Sequence, residues 1–339
     1  MARSLLVLGG SGFVGPAVAE EGLRRGWRVA TFNRGRAAAA SQAVQTIVGD
    51  RLDRFSLKQL RDRTWDVVVD TWSGAPRAVL DSANALVDHA ERYAYVSSGS
   101  VYEQPVPLGV RETSPTVAAS ALAEDGDYPA LKRGGELAAL EVFGERALLA
   151  RAGLILGPHE NVGRLTWWLN RIAAGGEVLA PGPPDLQLQF IDARDLAAFV
   201  LDAALDGHAG PYNVASRRGH ATMRSLLQAC QTATGADARL TWLDPAAIKA
   251  AEIEAWTELP IWLPPDSPSI AMHAADVEHA HAAGLSCRPA LETVTETWRW
   301  LATLDGSTPI RSDLEPTGLA SSRERAALNA WHTTQRHQR

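Results

Sequence analysis

The chain predicts an α/β fold, a doubly wound parallel sheet with a smaller mixed C-terminal region, and two patterns carry that prediction. The apolar runs Leu5-Leu6-Val7-Leu8, Asp66-Val67-Val68-Val69-Asp70 and Tyr93-Ala94-Tyr95-Val96-Ser97 are continuous rather than alternating, as strands buried on both faces require. Helix-compatible stretches separate them, including Ala75 to Ala90, and this alternation is the pattern of parallel strands joined by crossover helices.

The elements follow in order. The first strand runs into Gly9-Gly10-Ser11-Gly12-Phe13-Val14-Gly15, and a helix then ends near Arg24-Arg25-Gly26. Glycines let the backbone approach a pyrophosphate, and a helix N-terminus offers it unpaired N–H groups and a positive dipole end. Pro16 is tolerated in a first helical turn, and the basic pair before Gly26 suits a C-terminus. This strand–turn–helix predicts a dinucleotide site. The second strand, Trp27 to Phe32, ends where an adenosine ribose would lie. Asn33-Arg34-Gly35-Arg36 stands there without an acidic residue, so guanidinium groups face the ribose and NADP(H) is favoured over NAD(H). Further strands are expected at Ala147 to Leu156, Leu188 to Ile191 and Pro211 to Val214.

From Pro158 onward turns and tryptophans become frequent, as in Pro181-Gly182-Pro183-Pro184 and Leu263-Pro264-Pro265. Residues 1–158 are therefore read as the dinucleotide-binding domain, completed by about 192–216. Residues 159–339 are read as a substrate-binding region with a C-terminal helical tail, amphipathic around Arg325 to Trp331.

Chemistry is carried by Tyr128-Pro129-Ala130-Leu131-Lys132, with Ser98 upstream. A tyrosine and a lysine four apart face one side of a helix, where the ammonium can make the phenol more acidic than it is in water. Pro129 fits a helix that begins at the tyrosine. Glu136, one turn beyond Lys132, is placed to pair with it.

Composition agrees with a globular enzyme: 339 residues, 46% apolar and 21% charged. A net charge of -6 offers no basic field to nucleic acid or anionic lipid. Two cysteines, Cys230 and Cys287, form neither a disulfide framework nor a metal-ligand cluster, so no metal is expected and a reducing, cytoplasmic location is. No cleavage-site pattern follows the first apolar run, and no apolar stretch is long enough for a membrane span.

Together the glycine turn, Ser97-Ser98-Gly99-Ser100-Val101-Tyr102, the Tyr128/Lys132 pair and Arg151-Ala152-Gly153-Leu154-Ile155-Leu156-Gly157-Pro158 resemble the extended short-chain dehydrogenase/reductase family, whose fold is Rossmann-like. Gln189-Phe190-Ile191-Asp192-Ala193-Arg194-Asp195-Leu196-Ala197 and the ending near Gly318 to Trp331 are similar to its atypical epimerase/dehydratase-like reductase branch, which also resembles chloroplast stem-loop-binding proteins. The resemblance implies that Gly9, Gly12 and Gly15, with Phe13 and Val14, line the diphosphate, and that Asn33, Arg34 and Arg36 meet the 2′-phosphate. It puts Asp50 against the adenine and Asp70, Thr71 and Trp72 under the cofactor. Ser98, four residues before Tyr102, and Tyr128 become the catalytic hydroxyls, and Lys132 binds the nicotinamide ribose while tuning the tyrosine.

Two departures bear on the reaction. Ala152 replaces the proline common in the Arg-Pro-Gly motif, and Ser98-Gly99 stands where dehydratases carry an Asp-Glu pair, which disfavours dehydration. Trp72, Ser100, His159, Arg164, Trp168 and Arg194 are candidate substrate contacts; Trp167, Trp256 and Trp262 could add walls, although tryptophans at helical spacing also serve as core. Asp192, Arg194 and Asp195 equally suit a capping and salt-bridge group at a helix start. The expectation is an NADP(H)-dependent oxidoreductase acting on a carbonyl or alcohol of a small polar metabolite such as a sugar, nucleoside or natural-product intermediate, with no nucleic-acid or membrane partner, and a homodimer. The alternatives are an epimerase with tightly bound NAD(P) and a catalytically silent RNA-binding or regulatory protein.

Overall fold

The computed structural model describes residues 2–10, 12–35, 41–304, 308–311 and 314–337. Contacts divide the chain into two compact units. The first comprises Met1–Ile155, Ile191–Ser216 and Ala275–Cys287, the second Leu156–Phe190, Arg217–Ala274 and Arg288–Arg339.

In chain order the elements are β1 (Ser4–Leu8), α1 (Val14–Arg24), β2 (Arg28–Asn33), β3 (Gln45–Val48), α2 (Arg54–Leu57), β4 (Trp65–Asp70), α3 (Pro76–Leu86), β5 (Ala90–Ser98), α4 (Tyr128–Phe143), β6 (Ala147–Ala152) and β7 (Leu154–Leu156). They continue as α5 (Arg164–Ala173), β8 (Gly176–Pro181), β9 (Gln187–Leu188), β10 (Phe190–Asp192), α6 (Ala193–Leu205), β11 (Gly210–Val214), β12 (Ala221–Thr222), α7 (Met223–Thr234), β13 (Ala238–Leu243), α8 (Pro245–Ala250), α9 (Glu278–Ala282), α10 (Ala290–Leu301) and α11 (Ser321–His337).

The first unit is a seven-stranded sheet in the order β11-β6-β5-β4-β1-β2-β3, every neighbouring pair parallel. Its strands read as unbroken apolar runs because both faces are covered. Leu5, Val7, Val67, Val69, Ala94 and Val96 pack with α1 and α6 on one face. Leu6, Leu8, Val68, Tyr93 and Tyr95 pack with α3 and α4 on the other. The order reverses between β1 and β4, and the carboxyl edge at such a switch point is where open α/β sheets bind ligands.

Three sequence expectations change here. The run from Ala147 to Leu156 breaks at Gly153, whose N–H turns to Val214 O. The helix expected to reach Ala90 ends at Leu86, because Ala90 already pairs with Trp65 in the sheet. Ala275–Cys287, assigned by sequence to the substrate region, belongs to the first unit: Ala280 and Leu285 are buried in the core cluster that holds Tyr212 and Val214.

In the second unit α5, α7 and α10 pack on one another and β8 pairs in parallel with β13. Trp168 and Trp262 are buried there, with their indole N–H groups donating to Pro260 O and Gly182 O. Among the described residues no helix is long and apolar enough to cross a membrane.

Candidate functional site

The glycine turn after β1 divides its steric work among its members. Gly9 has φ 102°, and a Cβ there would sit 2.5 Å from Thr71 Oγ1. A Cβ on Gly15 would lie 2.7 Å from Gly10 Cα, so α1 needs glycine to come this close to the turn. A Cβ on Gly12 would meet nothing within 4 Å. Its glycine is unexplained by protein packing and leaves the open face a pyrophosphate needs at the start of α1. A dinucleotide therefore fits this turn. Phe13 and Val14 are partly buried and pack against the core.

At the end of β2, Asn33 shapes the loop: its Oδ1 accepts from Gly35 N at 2.8 Å and its amide donates to Thr31 Oγ1 at 3.2 Å. Arg34 is exposed. Arg36 lies outside the described residues. Asp50 Oδ1 accepts from Leu52 N at 3.0 Å, closing a turn after β3. Thr71 Oγ1 donates to Leu8 O at 3.1 Å, which ties the end of β4 to that of β1.

Asp70, wholly buried, accepts from Arg51 through both carboxylate oxygens at 2.7 Å, from Tyr93 Oη at 2.6 Å and from Trp72 N at 2.9 Å. Burial alone would raise its pKa; the guanidinium and these hydrogen bonds outweigh that and hold the carboxyl below its ordinary range. Burial followed by the charge of Asp70 pushes the Tyr93 phenol well above its ordinary value.

Ser98 ends β5. Its Oγ accepts from Ser100 N at 3.1 Å and donates to Ser100 Oγ at the same distance, so Ser100 orients the candidate catalytic hydroxyl. Ser97 points the other way, is buried, and donates to Glu136 Oε1 at 2.7 Å. Only Ser98 of the two is left partly accessible. Tyr128 opens α4 behind an Asp127 cap and is 47% exposed. Lys132 is buried, its Nζ donating to Trp72 O at 2.6 Å and Val96 O at 2.7 Å and lying 4.9 Å from the Tyr95 ring. Tyr95 also donates to Trp72 O at 3.0 Å, and Tyr128 adds to the field at its phenol. Tyr95 thus links the helix bearing Tyr128 and Lys132 to the end of β4, a role that its place in an apolar run did not advertise.

The expected Glu136–Lys132 pair does not form. Glu136, fully buried, takes Arg151 at 2.8 and 3.0 Å, Arg133 at 2.7 Å and Ser97, because β6 brings a guanidinium into its plane. Burial would lower the Arg151 pKa, yet Glu136 holds it above the ordinary value.

Arg194 is paired with Asp192 at 2.7 Å, and Asp192 also accepts from Arg194 N, so this group caps α6. In the second unit Trp168 is a core side chain and not a pocket wall, since its indole is wholly buried and bonded; the same holds for Trp262. Arg164 lies 5.0 Å over Trp256, and the exposed His159 ring is 5.2 Å from Trp300. A groove of about 360 Å³ lined by Arg54, Arg61, Arg77 and Leu122 includes none of these residues. Among the described residues no group of histidine, cysteine, aspartate or glutamate could hold a metal ion.

A model of the NAD-dependent epimerase/dehydratase family matches residues 5–215. The chain belongs to that family. It is an extended short-chain dehydrogenase/reductase family, nicotinamide-dependent, and its match covers the sheet, the glycine turn, Ser98, Tyr128 and Lys132. The uncharacterized protein y4nG of Sinorhizobium fredii is 26% identical over 271 residues, 73% of this chain and 65% of that protein. The chain thus spans under two thirds of the length of this curated relative. Among solved structures, UDP-glucose 4-epimerase of Thermotoga maritima with UDP-glucose shares a TM-score of 0.65 at 16% identity, covering 89% of this chain and 99% of that one. Bordetella bronchiseptica WbmH in complex with NAD+ gives 0.66 at 19%, with the same coverage. At these identities the likeness shows the fold.

Proposed function

We propose that the protein is an NADP(H)-dependent reductase of a small polar carbonyl compound. The observation that carries the reading is the joint placement, in one unit, of an unobstructed glycine cradle at the start of α1, the Ser98 hydroxyl at the end of β5 and the Tyr128/Lys132 pair at the start of α4. A bound nicotinamide supplies or accepts the hydride. Ser98, oriented by Ser100, and Tyr128 hydrogen-bond the substrate oxygen. Tyr128 gives that oxygen a proton as the carbonyl carbon is reduced and takes it back in the reverse direction. Lys132, anchored by two carbonyls, brings its positive charge to the nicotinamide ribose. Arg34, exposed beyond β2, supports a phosphate on the adenosine ribose.

Calorimetric titration is expected to give tighter binding of NADPH than NADH, with Arg34→Ala narrowing the gap by at least about 1 kcal/mol. Equal affinities would sink the cofactor assignment. Tyr128→Phe is expected to keep NADPH affinity and lower turnover by roughly a hundredfold. A second reading, an epimerase that uses its cofactor transiently, draws support from the epimerases that share the fold. Stoichiometric consumption of NADPH with substrate decides for the reductase, and interconversion without net oxidation decides for the epimerase.

A further inference from the structure

Arg54, Leu57 and Arg61 recur at intervals of three and four residues, so one face of α2 and of the 3-10 turn Lys58–Arg61 behind it carries two guanidiniums and a leucine. Arg77, Leu80, Asp81 and Ala85 make a similar stripe along α3. Both stripes line one groove of about 360 Å³, a volume in the range of small-molecule sites. Leu57, Leu80 and Ala85 are buried and form its apolar part. Leu122, 59% exposed, adds an apolar surface that water still reaches.

The charges in this groove do not balance, although the chain as a whole carries a net charge of -6. Among the described residues, Arg54, Arg61 and Arg77 line it against the one carboxylate of Asp81. That carboxylate is already shared: Arg54 Nε and Nη2 donate to its two oxygens at 3.0 Å, and Arg77 Nε donates to Oδ1 at 3.3 Å. The Nη groups of Arg77 are therefore unspent, and the Arg61 side chain makes no hydrogen bond or ion pair among the described residues. Open guanidinium forks beside an apolar floor are complementary to an anion that carries an apolar body. A phosphate monoester suits them better than a carboxylate, because it spreads three oxygens and nearly two charges over forks from both stripes. None of these residues belongs to the glycine turn, to Ser98 or to the Tyr128/Lys132 pair.

We propose that this groove is a second binding site of the first unit and takes a small organic phosphate: Arg61 and Arg77 hold the phosphate, and Leu57, Leu80 and Ala85 receive the apolar body. The test is calorimetric titration of the full chain with phenyl phosphate, inorganic phosphate, benzoate and benzylamine. Phenyl phosphate is expected to bind with a Kd below about 1 mM, inorganic phosphate about tenfold more weakly for want of the ring, and benzylamine not at all. Benzoate, with two oxygens and one charge, should also bind more weakly than phenyl phosphate. Arg61→Gln and Arg77→Gln are each expected to weaken phenyl phosphate about tenfold. Arg61→Lys should lose less than Arg61→Gln, since the charge remains. Arg61 is exposed and unpaired, so its variants should keep the unfolding midpoint of the starting protein, which separates a lost ligand contact from a damaged fold. The site is overturned if phenyl phosphate does not bind, or if it binds Arg61→Gln and the starting protein equally; benzoate binding as tightly as phenyl phosphate would overturn the choice of phosphate. The dinucleotide reading is tested apart, by NADPH titration, and its failure would leave these expectations standing.

Discussion

Two buried carboxylates, Asp70 in the first unit and Glu160 in the second, are held in opposite ways. In the first, every buried carboxylate at the candidate site meets a guanidinium: Asp70 with Arg51, Glu136 with Arg151 and Arg133. The second also pairs a buried carboxylate with a guanidinium, Glu324 with Arg171 at 2.6 Å, but its Glu160 is fully buried and accepts from backbone instead, taking Arg164 N at 2.7 Å and Leu165 N at 3.0 Å at the start of α5. A paired carboxylate keeps its charge as a condition of the fold. A carboxylate held by a helix N-terminus is left to titrate, and burial raises the Glu160 pKa to about 7.

Removing a paired partner is the harshest way to probe this. Glu136→Ala would leave Arg151, 4% exposed, as an uncompensated buried cation. The expected loss is about 3–5 kcal/mol, read from urea unfolding. A loss below about 1 kcal/mol would mean that the pair is not what holds α4 to β6.

Next in size is a pH effect whose sign differs between the units. Asp70 has a lowered pKa, so its contribution is present above the unfolded value of 3.8 and is lost as pH falls through the folded value. Glu160 has a raised pKa, so its contribution is full below the unfolded value of 4.5 and is lost as pH rises toward about 7. The loss is on the order of 3 kcal/mol at most. Unfolding midpoints measured from pH 4.5 to 7 should therefore fall more steeply for the starting protein than for Glu160→Gln. Parallel profiles would show that Glu160 does not titrate in this window.

Much of the first unit was legible because its physics is local or periodic. Strands covered on both faces must be apolar throughout, and a glycine turn that serves a helix start leaves a fixed spacing. Tyr128 and Lys132 were legible for the same reason, being one helical turn apart. Glu136 was misread by that very rule: spacing along a helix names only neighbours on the helix, whereas Arg151 arrives from β6. Arg51 and Asp70 lie nineteen residues apart and meet only once β3 and β4 are placed in the sheet. Trp168 and Trp262 were candidates for a pocket because nothing in a sequence shows the carbonyls of Pro260 and Gly182 that satisfy their indoles.

The smallest effect concerns how the helices pack. Those of the second unit, α5, α7 and α10, contain no glycine, whereas α4 carries Gly134 and Gly135 in its interior. Glycine in a helix interior costs about 1 kcal/mol relative to alanine, so an ordinary Gly→Ala change there stabilises. Here a Cβ on Gly135 would collide with the Tyr95 phenol, and one on Gly134 would sit 2.6 Å from Ser120 O. Tyr95 cannot give way, since it is buried, bonded to Trp72 O and covered by the Lys132 ammonium. Overpacking of about 1–3 kcal/mol should therefore exceed the gain in propensity, and Gly135→Ala is expected to lower stability by about 1 kcal/mol. Tyr95→Phe removes the nearest atom, so a double-mutant cycle should show the alanine better tolerated beside phenylalanine. If Gly135→Ala raises stability in the starting protein, the close approach of α4 to β5 is not what seats Lys132, and its burial must be credited to the two carbonyls alone.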